Sequence, residues 1–264
     1  MAYIDFSELR RGGILHLLDA SKAGEDPEYR SFVRQTQFDY KKDLDAAIVA
    51  FAPTGRFVLL KGRFDWKTLR AYVTSQNGKC INSFCRMTGS APERRISFFP
   101  LRSNLMALAV GPDESAALRL DTAASGPDPQ VPAAPVWLSI PTSMLKSGDS
   151  LPAGTRMFAS SMERAETVTL AFAPEGRGLA AKLDVRCRDE RDAADLASQL
   201  TRTTTLLREI MERERRKPDP ADLSGVLTSG AFRNEGRRVL GYWPIQPAFV
   251  QNVLGAPLRT EPRP

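Results

Sequence analysis

Two close pairs of carboxylates are the residues whose type and spacing could do chemistry: Asp43 with Asp45, and Glu163 with Glu166. Two carboxyl groups held a few ångströms apart can divide into a general acid and a general base, and glycoside hydrolysis uses that division. In Asp43-Leu44-Asp45 the acids alternate with one Leu, so both project to the polar side of a strand. Glu163 and Glu166 precede a second strand of closely related sequence. The competing reading is architectural. Acids that recur where a repeat enters its hairpin suit a solvated strand start or a turn cap.

Other chemistries find less material. A hydroxyl nucleophile needs a base, most often His. The one His is His16, inside the apolar helical run Ile14-Leu15-His16-Leu17-Leu18, where packing explains it. No Gly-x-Ser-x-Gly is present, no phosphate-cradling Gly-x-x-x-x-Gly-Lys-Ser/Thr, and no Gly-x-Gly-x-x-Gly after a strand. Gly12-Gly13 reads as a helix start or kink. Three Cys and one His do not make a zinc site. No metal and no cofactor is expected, and the reading leans away from an enzyme.

Cys80 and Cys85 are disulfide candidates. They enclose Ile-Asn-Ser-Phe, and Asn82-Ser83 is a suitable turn centre, so a tight hairpin could join the sulfurs. Oxidation would favour an extracytoplasmic site. The alternative is two reduced, partly buried thiols. Cys187, in an apolar strand, reads as a small core residue.

Two aromatic–proline endings could line a groove for an extended peptide or an apolar ligand, Phe98-Phe99-Pro100-Leu101 and Tyr242-Trp243-Pro244-Ile245, and a third aromatic segment, Gly62-Arg63-Phe64-Asp65-Trp66, reads as a strand-to-helix junction packing into the core. The architectural reading is the favoured one: bulk that closes a strand or packs a junction into the core. Asp65 would cap a following helix, and Arg63 could stack on a ring or pair with an acid.

The elements that must position these residues repeat. Residues 48–56 read Ile-Val-Ala-Phe-Ala-Pro-Thr-Gly-Arg and residues 169–177 read Thr-Leu-Ala-Phe-Ala-Pro-Glu-Gly-Arg, with six of nine positions identical at a shift of 121. Both are apolar runs broken by Pro-x-Gly, a strand-turn-strand signal. The first is followed by a strand over Phe57–Phe64 and a helix over Asp65–Gln76. The second is followed by a strand over Leu179–Cys187 and a helix over Asp189–Lys217. Later hairpins are expected at Ile96–Leu101 with Leu105–Val110, and at Val226–Arg233 with Arg237–Trp243. Short helices follow at Asp113–Asp121 and Pro247–Leu254. Tyr3–Phe6 and Val136–Ile140 open the two halves as strands.

In the long helix Leu196, Leu200, Leu207, Ile210 and Met211 form one stripe at helical spacing. Asp189 is its N-cap. Arg215, Arg216 and Lys217 suit the last turn, where cations meet the helix dipole, and Pro218 stops it.

The organisation is therefore a first repeat over 1–122, a Pro-rich linker over 123–135, a second repeat over 136–255 and a tail over 256–264. The fold class is α+β: an internally duplicated unit, mostly antiparallel sheet, with helices packed largely on one face.

The chain has 264 residues and a net charge of +6. Its 42% hydrophobic and 26% charged residues are globular proportions. No apolar run reaches the roughly 18–20 residues of a membrane span. Cations are spread evenly over both halves. The short clusters Arg94–Arg95, Arg213–Lys217 and Arg237–Arg238 have acids or turns beside them, so nucleic-acid binding is disfavoured. No basic-then-apolar leader opens the chain, yet the first residues already read as a strand, as a trimmed chain would.

Asp43-Leu44-Asp45, the strand after Gly55, and Gly62-Arg63-Phe64-Asp65 together resemble a loosely defined group of uncharacterised, acidobacterial-type bacterial proteins. The resemblance implies a repeated α+β unit and an envelope location, often behind an N-terminal signal or anchor. It implies no activity. The expected function is a non-enzymatic binding or structural module of the bacterial envelope, with an unknown protein or small ligand as partner. The alternatives are a hydrolase using Asp43/Asp45 or Glu163/Glu166, and weak nucleic-acid binding through the Arg clusters.

Overall fold

The computed structural model describes residues 1–12, 15, 27–89, 91, 93–121, 132–140, 158–159, 161–162, 165–176 and 178–255. The described residues form two compact units, one up to Pro135 and one from Val136 onward. Most of the Pro-rich stretch 123–135, the tail 256–264, His16 and Glu163 lie outside the described residues.

The first unit holds β1 (Ala2–Asp5), α1 (Phe6–Arg11), α2 (Pro27–Thr36), α3 (Tyr40–Asp43), β2 (Leu44–Ala52), β3 (Gly55–Gly62), α4 (Trp66–Ser75), β4 (Lys79–Ile81), β5 (Phe84–Thr88), β6 (Arg95–Arg102), β7 (Leu105–Gly111) and a 3-10 helix (Ala116–Leu120). Its strands run in the order β1-β2-β3-β7-β6-β5-β4, every pair antiparallel. The last strand in sequence, β7, sits between β3 and β6.

Strand alternation splits the core of this unit in two. Leu60 faces Met106 across β3–β7, Phe98 faces Leu108 across β6–β7, and Cys85 faces Phe98 across β5–β6. These residues share the face on which Leu69 and Val73 of α4 and Phe32 of α2 pack. Phe99, Ala107 and Ala109 point the other way and pack against Ala116 and Ala117 of the 3-10 helix. There the buried Ser97 hydroxyl accepts a bond from Ala117 N at 3.1 Å. Among the described residues the two ten-residue helices thus pack on one face of these strands, and the short 3-10 turn packs on the other.

Local signals explain the element ends. Asp65 is in extended backbone and its carboxylate accepts from Thr68 N, which caps α4. Gly62 has no room for a side chain: a Cβ would lie 2.2 Å from the Asp43 carbonyl oxygen. The glycine lets the end of β3 lie against the start of β2, and Arg63 N donates to that same Asp43 oxygen at 2.8 Å.

The second unit holds β8 (Val136–Ile140), β9 (Thr167–Glu175), β10 (Gly178–Arg186), α5 (Glu190–Arg213), α6 (Leu223–Thr228), β11 (Ala231–Glu235), β12 (Arg238–Ile245) and α7 (Pro247–Gly255). Its strand order is β8-β9-β10-β12-β11, again antiparallel throughout. Asp189 caps α5 by accepting from Asp192 N at 2.8 Å.

Three expectations need correction. The helix after β10 ends at Arg213, because Arg215 adopts a left-handed φ of 54°; of the cationic run, only Arg213 stands in the last turn. The buried stripe of α5 ends at Thr204, and Ile210 is exposed. Residues 223–228 are helical rather than part of a strand. Asp222 caps them by accepting from Ser224 N at 2.7 Å, and the hairpin strand starts only at Ala231. A capping Asp outweighs the β preference of Val226 and Thr228.

The repeated nonapeptide also turns at two different places. In the first copy Ala52 pairs with Gly55, so Pro53-Thr54 make the turn. In the second, Glu175 pairs with Gly178, so the two strands close at that pair. Gly176 there has a φ of +58°. The second turn is two residues later relative to the sequence match.

Candidate functional site

The face of the first unit that carries α2 and α4 is not fully filled. A cleft of about 430 Å³ remains, floored by Leu60, Met87, Ile96, Phe98, Met106 and Leu108 from β3, β5, β6 and β7. That volume lies in the range of small-ligand sites, which are typically about 300–1,000 Å³. Its walls come from the helices and their connections: Tyr29 and Phe32 of α2, Phe38, Phe64, and Leu69 and Tyr72 of α4. Arg94, ahead of β6, completes the lining and is its one charged side chain among the described residues.

The walls are built from rings that hold one another. Phe32 meets Tyr72 edge-on at 5.1 Å and Phe38 edge-on at 6.0 Å. Phe38 stacks on Phe64 at 5.7 Å, and Phe64 meets Trp66 at 5.3 Å. Each such pair adds about 0.5–1.5 kcal/mol beyond area burial. Trp66 Nε1 donates to the Ser103 carbonyl at 3.1 Å, which ties the end of this chain of rings to the β6–β7 turn.

Behind Tyr29 lies a polar anchor. The Tyr29 hydroxyl meets Asp39 Oδ1 at 3.5 Å, and Asp39 also caps α3 through Lys41 N and pairs with Lys42 Nζ at 3.3 Å. Burial, and then the negative Asp39, push the Tyr29 phenol up to about 12. The folded value lies above the ordinary Tyr value of roughly 10, so the folded chain retains this proton where the unfolded chain loses it. Its stabilising contribution is complete below about pH 10 and is lost as pH rises toward 12. In urea titrations between pH 9 and 12, Tyr29→Phe is expected to show a shallower alkaline loss of stability than wild type. Parallel profiles would contradict this environment for the phenol.

No family model matches this chain, and no curated protein does. Among solved structures it is similar to crystal form I of TP0453, with a TM-score of 0.53 and 11% identity over 97% of this chain and 93% of that one. Crystal forms IV and III of the same protein align with TM-scores of 0.49 and 0.47 at 9% and 10% identity. The likeness to form I is one of fold.

The other residues singled out in the sequence lie in varied places. Phe64 and Phe98, from two of the three aromatic segments, are in the cleft. Of the third segment, Trp243 packs edge-on against Phe232 at 5.1 Å in the second unit, with Phe158 beside both. Asp43 accepts from Asp39 N at 2.9 Å and from Arg63 Nη2 at 3.1 Å; Asp45 accepts from the Ser7 hydroxyl at 3.3 Å. Neither carboxylate lines the cleft. In the second unit Glu166 pairs with Arg186 and Arg237. Of the Arg clusters, Arg95 donates to Thr88, Arg216 pairs with Glu214, and Arg238 pairs with Asp184.

Cys80 and Cys85 face each other across β4–β5 and are joined by a disulfide. Asn82 takes the left-handed conformation at the turn between them, with a φ of 55°. Cys187 is a buried free thiol, pushed up first by burial and then by the charges of Asp192, Glu166 and Asp189, which leaves it little thiolate character.

The lining residues from α2 were not singled out from sequence. Tyr29 and Phe32 occur at no motif spacing, and only the 3–4 rhythm of a helix over 27–36 would have pointed to them; Phe38 lies beyond that helix.

Proposed function

We propose that the first unit is a non-enzymatic binding module that takes a small apolar ligand in the aromatic cleft, and that the protein works in the bacterial envelope. The observation that carries the reading is the cleft itself: among the described residues, twelve of its thirteen lining residues are apolar or aromatic. Apolar surface left open to water on one side of a core is a natural ligand seat. The disulfide supports the envelope location, because such bonds persist in oxidising compartments. The order β8-β9-β10-β12-β11 parallels β1-β2-β3-β7-β6 of the first unit, which supports the further reading that the two are copies of one ancestral unit.

Titration with N-phenyl-1-naphthylamine, an uncharged fluorescent probe, tests the cleft. One saturable site is expected, weakened at least tenfold by Leu108→Trp, which fills the floor with an indole. Circular dichroism of the variant checks that the fold is kept. Unsaturable binding, or binding indifferent to Leu108→Trp in a folded variant, would remove the cleft as the seat.

A further inference from the structure

Resting on the apolar cleft as a ligand seat, we infer that its ligand is an amphiphile with a single apolar tail and an anionic carboxylate head, and that Arg94 receives the head. The cleft is chemically one-sided. Its floor and walls offer hydrocarbon and rings, and among the described residues its one charged lining group is a guanidinium. A cationic head would be repelled by that group, and an anionic one attracted.

The position of Arg94 is built by its surroundings. Its carbonyl accepts from Gly89 N at 2.7 Å, and its own N donates to the Ala91 carbonyl at 2.9 Å, so the backbone is fixed from both sides. Gly89 lacks the atom that would obstruct the side chain. A Cβ at that position would stand 3.1 Å from Arg94 Cδ and 3.2 Å from Cγ. The aliphatic stem of Arg94 therefore lies against a bare backbone, and the residue as a whole is exposed at the edge of the cleft. A long cationic side chain with its stem packed can serve water and apolar wall at once, the geometry an amphiphile needs.

Arg94 need not be without partners for this role. A guanidinium carries five N–H donors in a planar fork that suits a carboxylate, so it can hold an anion besides its intramolecular contacts. Asp39 lies behind Tyr29, which is on the cleft wall. It is already engaged by Lys41 N, Lys42 Nζ and the phenol, so its charge is compensated locally.

The test is displacement of N-phenyl-1-naphthylamine by three ligands with one tail and three heads, below their micellar concentrations: dodecanoate, dodecanol and dodecyltrimethylammonium. In wild type, dodecanoate is expected to bind about tenfold more tightly than dodecanol, a head contribution of about 1.4 kcal/mol. Arg94→Gln is expected to abolish that gap and leave dodecanol unchanged. Arg94→Glu is expected to favour dodecyltrimethylammonium. Equal binding of dodecanoate and dodecanol in wild type, or a gap that persists in Arg94→Gln, overturns the inference while the apolar seat stands. Failure of dodecanol to displace the probe at all overturns the apolar seat and this inference with it.

Discussion

Phe98→Ala is expected to lower the unfolding free energy by about 3–5 kcal/mol in a urea titration. Phe98 is buried and faces Cys85 on one neighbouring strand and Leu108 on the other. It belongs to the same packed group as Leu69, Val73 and Met106. Truncation removes a ring from contact with all of them, and the sheet backbone on both sides cannot collapse into the gap. The slope of the titration should stay near the wild-type value, since the folded and unfolded ends still differ by nearly the same surface. A loss below about 1 kcal/mol would mean that the ring is not packed between sheet and helices as described. Because the ring also floors the cleft, the variant should bind N-phenyl-1-naphthylamine more weakly, even where it remains folded.

Cys80→Ser is expected to cost about 2 kcal/mol. The bond joins residues only five apart, so the unfolded chain regains the entropy of a short loop. Serine at position 80 leaves the Cys85 sulfur in place, which matters because Cys85 is 1% exposed and packs in the core of the first unit. The same loss should appear in wild type on adding a phosphine reductant, and reductant should have no further effect on Cys80→Ser. A variant as stable as wild type would show that β4 is held by its ladder alone. Ile81, next to the bond, is 61% exposed, so the edge strand gains little from burial and relies on the covalent link.

The sequence was most legible where local chemistry decides. Asp65 and Asp189 were readable as caps because a short acid before an apolar period can satisfy free backbone N–H groups. The hairpins at Ser103-Asn104 and Asn82-Ser83 follow from turn residues between apolar runs. Legibility ended where partners are distant in sequence. That β7 would slot between β3 and β6 depends on which apolar faces match, and no local motif encodes it. The cleft needed three separated contributions: Phe64 and Phe98 lay in segments with a visible aromatic pattern, whereas Phe32 and Arg94 acquire meaning only once α2 and the stretch before β6 are placed. The sequence match between residues 48–56 and 169–177 was visible, but the place where each segment turns was not. A displacement of two residues returns every side chain to the same face, so the hydrophobic pattern accepts either turn position.

The central seat of β7 has a kinetic consequence. Strands β4, β5, β6 and β7 form a continuous meander of near neighbours, and β2 with β3 form another. Both can assemble through short loop closures on the microsecond scale. The rungs from Arg56–Val110 to Lys61–Leu105 are what unite them, and these require closure over α4 and three strands. The first unit should therefore fold as two quick local pieces and one slow docking event. Substitutions along the β3–β7 seam, such as Leu60→Ala, should retard refolding, whereas those in the β4–β5 hairpin should mainly speed unfolding.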